Sequence, residues 1–72
     1  MPYASDADLP SALRDHLPPH ARAIFRKAFN SAWESYGMRE PWRREEIAHR
    51  VAWAAVKRKF EKRGEEWVPI DG

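Results

Sequence analysis

Glu45, Glu46, His49 and Arg50 form a polar group at the start of the apolar stretch Ile47–Val56, and their types could do chemistry. On a helix Glu45 lies one turn below His49, and Glu46 one turn below Arg50. A carboxylate one turn from an imidazole is a candidate pH-sensitive pair, because histidine titrates near neutrality. The plainer reading takes both as i,i+4 pairs, each adding roughly 0.2–0.5 kcal/mol. His16 and His20, with Asp15 adjacent, repeat the four-residue spacing, which could bind zinc on a continuous helix. Pro18 and Pro19 interrupt that helix, so no metal ligands are expected there. The chain has no cysteine, which excludes a thiolate metal site, a disulfide and a cysteine nucleophile. It has no glycine-rich phosphate loop and no serine in a nucleophile motif. The expectation is a non-enzyme with no cofactor.

Charge points to partners instead. The net charge is +2, but it is unevenly spread. Residues 1–20 carry one basic and three acidic side chains, residues 21–63 twelve basic and five acidic, and residues 64–72 three acidic and none basic. The basic middle suits an acidic protein face, nucleic acid or an anionic membrane surface. Arg43, Arg50 and Lys57 recur every seven residues as a polar line on the third helix. Arg22, Arg26, Lys27, Arg58, Lys59, Lys62 and Arg63 extend the basic set. Part of it is expected to be solvated, and part to complement a helix C-terminus. Phe25, Phe29, Trp33, Trp53 and Phe60 have helical spacing and read as core. Trp42 and Trp67 lie near element ends, where one of them could stay exposed as a partner anchor.

Three helices must position these groups. Pro10, Pro18, Pro19 and Pro41 sit where helices can begin, and Gly37 and Gly64 where helices can end. The first helix is expected over about Pro10–Leu17, with Leu9, Leu13 and Leu17 as its apolar edge. The second is expected over Pro19–Tyr36. Ile24, Phe25, Ala28, Phe29, Ala32, Trp33 and Tyr36 fill one half of it; Arg26, Lys27, Asn30 and Glu34 fill the other. The third is expected from Pro41 or Trp42 to Arg63. It is apolar on two sides, one bearing Ile47, Ala48, Val51, Ala54 and Ala55, the other Trp42, Trp53, Val56 and Phe60. A helix apolar nearly all round is enclosed by protein, so this one is expected to stand at the centre. Met1-Pro2-Tyr3 and Trp67-Val68-Pro69-Ile70 are expected to pair as a small antiparallel ribbon packed on a helix. The fold class is therefore mainly all-α: one compact three-helix domain over residues 1–72, with a two-stranded ribbon from the chain ends.

The longest unbroken apolar run is Val51–Val56, far short of the about 20 residues a spanning helix needs. The opening residues lack the basic and apolar regions of a secretory signal, and the absence of cysteine fits a reducing cytosol. The expected location is cytoplasmic, at most peripheral to a membrane.

Met1-Pro2-Tyr3, Asp8-Leu9-Pro10, Leu17-Pro18, the run Ala28-Phe29-Asn30-Ser31-Ala32-Trp33, Glu45-Glu46, and the run from Ala48 to Lys57 occur in this order. In them the chain resembles the ChaB family over nearly its whole length. The resemblance implies a small cytoplasmic protein of three helices and a small sheet, in a cyclin-box-like arrangement. It implies regulation of a calcium/sodium–proton antiporter, and it carries over no catalytic residue or cofactor. The expected function is a non-enzymatic adaptor that docks on such an antiporter, or on a protein associated with it, through Arg43, Arg50, Lys57 and Trp42 or Trp67. The alternative is a nucleic-acid-binding accessory protein that uses the basic face of the second and third helices. The oligomeric state is left open.

Overall fold

The computed structural model describes residues 3–36, 39 and 41–70. A 3₁₀ turn over Asp6–Asp8 is followed by α1 (Ser11–His16), α2 (Pro19–Tyr36), a 3₁₀ turn over Pro41–Arg43, α3 (Arg44–Lys59), β1 (Phe60–Arg63) and β2 (Glu66–Pro69). The first turn is closed reciprocally: the Asp8 amide donates to the Ser5 carbonyl, and the Ser5 amide donates to Asp8 Oδ2. Prolines start the helices as expected. Pro10 caps α1, and its carbonyl accepts from the amides of Leu13 and Arg14. Pro19 opens α2, where a missing N–H costs nothing because the first turn has no acceptor for it. Gly37, expected to end α2, lies outside the described residues.

The core lies mainly between α2 and α3. Ala21, Phe25, Phe29 and Ala32 of α2 are buried, and they meet Ala48, Ala52 and Val56 of α3, which are fully buried. Those three α3 residues are four apart and form a single stripe. Leu9, Leu17 and Phe60 complete the cluster, with Tyr3, Leu13, Trp33, Trp53 and Trp67 packed around it. The most enclosed helix is α2, with α3 along one flank and the N-terminal turn against another. This corrects the expectation of a central third helix. Val51 is 36% exposed and Ala54 is exposed, so α3 buries one face only. The physical reason is size: alanines satisfy an apolar pattern but need little cover, and among the described residues no element of this short chain covers Val51 or Ala54.

The ribbon exists, but both of its strands come from the C-terminal end. β1 pairs antiparallel with β2, matching Phe60 with Pro69 and Arg63 with Glu66. The ladder extends one step further, with the Ile70 amide donating to the Lys59 carbonyl. Tyr3, expected in the ribbon, bonds to α2 instead, while Met1 and Pro2 lie outside the described residues. The third helix therefore stops at Lys59 rather than Arg63, and Phe60 is already extended (φ −133°, ψ 150°). Beyond Phe60 a continued helix would carry only Glu61, Lys62 and Arg63, with nothing apolar to bury. The hairpin instead folds Trp67 back onto Trp53, with ring centroids 5.4 Å apart. Its two-residue loop is Gly64-Glu65. Gly64 has φ +63°, and no other residue type among those described has positive φ, the pattern of a type II′ turn.

Candidate functional site

Trp42 projects from the 3₁₀ turn that leads into α3 and is 78% exposed. Pro41 begins that turn, its fixed φ suiting a helical start. Glu45 and Glu46 follow in the first turn of α3, where negative charge suits the helix dipole. Glu46 sits between two arginines. Its carboxylate is 3.8 Å from Arg43 Nε and 3.1 Å from Arg50, an i−3 and an i+4 pair. All three side chains are well exposed, so solvent screens these pairs and each adds little to stability. Trp42, Glu45, Glu46, His49 and Arg50 together line an open depression of about 590 Å³.

His49 is one turn from Glu45, but its hydrogen bond runs the other way along the helix. Its Nε2 accepts from the indole N–H of Trp53 at 3.3 Å. Its ring also meets Phe25 edge-on at 5.9 Å. Glu45 also acts electrostatically on the phenol of Tyr3.

The remaining predicted residues are spread out. Lys57 is exposed on the same line as Arg43 and Arg50, two turns beyond Arg50. Trp67 is half-buried, set against Trp53, and lines a separate depression of about 270 Å³ with Leu13, His16, Lys62 and Glu65. The structure thus groups Trp42 with Arg43, Glu45, His49 and Arg50, and places Lys57 and Trp67 elsewhere. Among the described residues no group of three or more His, Asp or Glu side chains is arranged to hold a metal ion. Among them, too, no helix is long and apolar enough to cross a membrane.

Two residues that position this site escape a reading of residue types. Arg44 donates from Nε to the Trp33 carbonyl at 2.7 Å, and its guanidinium lies 4.3 Å from the centre of the Trp33 ring. Trp33 is in the last turn of α2, where carbonyls lack intrahelical partners. Arg44 therefore ties the end of α2 to the start of α3 and fixes where Trp42 stands. Asn30, on the polar half of α2 by periodicity, is 7% exposed and bonds to the Tyr3 backbone.

The sequence model of the family described as ChaB matches residues 9–69. The chain is 50% identical over 66 residues to the protein described as "Putative cation transport regulator ChaB" in Escherichia coli strain K12, covering 86% of this chain and 87% of that one. The protein of the same description in Shigella flexneri matches with the same identity and coverage. Among solved structures, the "NMR solution structure of the putative cation transport regulator ChaB" superposes with a TM-score of 0.83 at 43% identity, covering 97% of this chain and 100% of that one.

Proposed function

This chain belongs to the ChaB family, and on that footing we propose that it is a non-enzymatic regulator in cation transport that works by docking on a protein partner. The partner is a calcium/sodium–proton antiporter or a protein associated with it. The observation that carries the reading is Trp42. An indole 78% exposed costs solvation free energy in the free protein, and Trp33, Trp53 and Trp67 are all packed against the core. Tryptophan and arginine are the residue types most enriched at interface hot spots. Here the exposed indole stands beside two arginines that pair with Glu46. The charged groups steer encounter, and burial of Trp42 supplies the affinity.

Capture from native membranes tests this. Wild-type protein should retain a cation transporter or its associated protein at low salt, and Trp42→Ala and Arg50→Glu/Lys57→Glu should each lose it. Retention of no transport protein by the wild type, or equal retention by all three, would sink the proposal.

Nucleic-acid binding is a second reading with one observation in its favour. Lys57, Arg58, Lys59 and Lys62 are exposed, and among the described residues none has a carboxylate within ion-pair distance. A gel shift that weakens steeply with salt would support it, since phosphate contacts release counterions.

A further inference from the structure

The face of α3 left uncovered has a definite shape and charge at its C-terminal end. Ile24 of α2 and Ala55 of α3, both half-buried, form the floor of a groove between the two helices, about 500 Å³ in volume. His20, Arg58 and Lys59 form its rim, all exposed. Val51, 36% exposed, lies one turn from Ala55 and prolongs the apolar surface along α3. Trp42 is about 20 Å away along the helix axis, so this groove is distinct from the Trp42 surface.

The rim charge is unspent. Arg43, Arg50 and Arg63 each pair with a glutamate. Arg58 and Lys59, with Lys57 beside them, have no carboxylate within ion-pair distance among the described residues. Part of this charge complements the C-terminal end of α3, but that end carries only about half a negative charge against three cations. The surplus is positive and borders an apolar floor.

We propose that the groove between α2 and α3 binds an acidic peptide segment of a partner protein, with an aliphatic side chain seated on Ile24 and Ala55 and its flanking carboxylates on Arg58 and Lys59. Charge complementarity sets the sign of the partner. The recessed floor favours a polypeptide, because a side chain can enter a groove whose base a flat lipid surface does not reach. The floor also offers nothing to a phosphate backbone, and the ring that borders it, the His20 imidazole on the rim, is engaged edge-on with Phe60 at 5.8 Å.

The test uses fluorescence anisotropy with a labelled twelve-residue peptide of Glu and Asp bearing two central leucines. A peptide of equal charge with serines in their place is the comparison. The leucine peptide should bind at least tenfold tighter than the serine peptide. Arg58→Glu/Lys59→Glu should weaken it at least tenfold, and Ile24→Ser should remove the difference between the peptides. Ala55→Gln, which blocks the floor without emptying the core, should do the same and guards against misfolding of Ile24→Ser. Trp42→Ala should leave binding unchanged, and amide shifts on binding should centre on Ile24, Ala55 and Arg58. Equal binding of the two peptides would overturn the proposal. So would shifts confined to Trp42 and its neighbours, which would leave the docking role of Trp42 standing. Binding of duplex DNA or phosphatidylglycerol vesicles, unaffected by Ala55→Gln and with no leucine-peptide binding, would overturn it too.

Discussion

The side-chain amide of Asn30 grips the peptide of Tyr3 from both sides: Nδ2 donates to the Tyr3 carbonyl at 2.8 Å, and Oδ1 accepts from the Tyr3 amide at 3.3 Å. The pair imitates one rung of a sheet and fastens the N-terminal segment to α2. It also sets the Tyr3 ring against Phe29, with centroids 5.0 Å apart. Asn30→Ala leaves the Tyr3 carbonyl and amide without these partners. The expected loss is about 1–3 kcal/mol, read from urea unfolding. Asn30→Asp should be worse, because it sets a carboxylate against the Tyr3 carbonyl. Amide exchange at Tyr3 should quicken more than at Val56 in both variants. Unchanged exchange at Tyr3 would show that the clamp does not hold the segment.

The same segment predicts a pH dependence. The Tyr3 phenol is pushed above its ordinary value of 10.0, first by burial and then by the negative charge of Glu45. The folded state therefore resists forming the phenolate more than the unfolded chain does. Stability from this group is fully present below pH 10.0 and is lost as pH rises through the higher folded-state value. Unfolding measured across the alkaline range should show that fall, and Tyr3→Phe should reduce it. Glu45→Gln should lower the phenol's titration point, followed by phenolate absorbance. A phenolate that forms at the same pH in wild type and Glu45→Gln would remove Glu45 as a cause.

Arg44 and Trp33 make a junction that can be tested by comparing two replacements. Arg44→Ala loses the 2.7 Å bond to the α2 carbonyl and the contact with the ring, for an expected cost of about 1–3 kcal/mol. Arg44→Lys keeps the charge but not the planar fork, so it should recover less than half of that loss. The readout is the urea midpoint at constant slope. Full recovery by lysine would mean that charge alone matters at this end of α2.

These residues mark where the sequence is legible and where it is not. The bounds of α2 could be read because proline at position 19 and a long 3.6-residue pattern agree. Phe25 and Phe29 were placed in the core by the same pattern. Asn30 was not, because its burial is owed to Tyr3, 27 residues away in sequence, which periodicity within one helix does not register. Arg44 looks like its neighbour Arg43 until the end of α2 is placed beside it. The hairpin was hidden because glycine after a helical run has the same signature at a helix end and in a two-residue turn. In the candidate site, the pairing of Arg50 with Glu46 follows from helical spacing, whereas Trp42, which the same spacing puts on the apolar side with Trp53, stands exposed on the 3₁₀ turn ahead of α3. The packing of Trp67 depends on the hairpin and could not be foreseen without it.

The burial of α3 gives the sharpest discrimination. Ala52 is fully buried in the stripe that meets α2, whereas Ala54, two residues on, is exposed. Composition and helix propensity treat the two alike. A leucine at position 52 must push α3 away from α2 or force strained rotamers, and should cost about 1–3 kcal/mol. The same leucine at position 54 meets water and should change stability by less than about 0.5 kcal/mol. Thermal or urea unfolding of Ala52→Leu and Ala54→Leu reads the contrast directly. If α3 were enclosed on both faces, both variants would be destabilised together. Equal, large losses would therefore restore the enclosed helix and remove the uncovered face on which the groove depends.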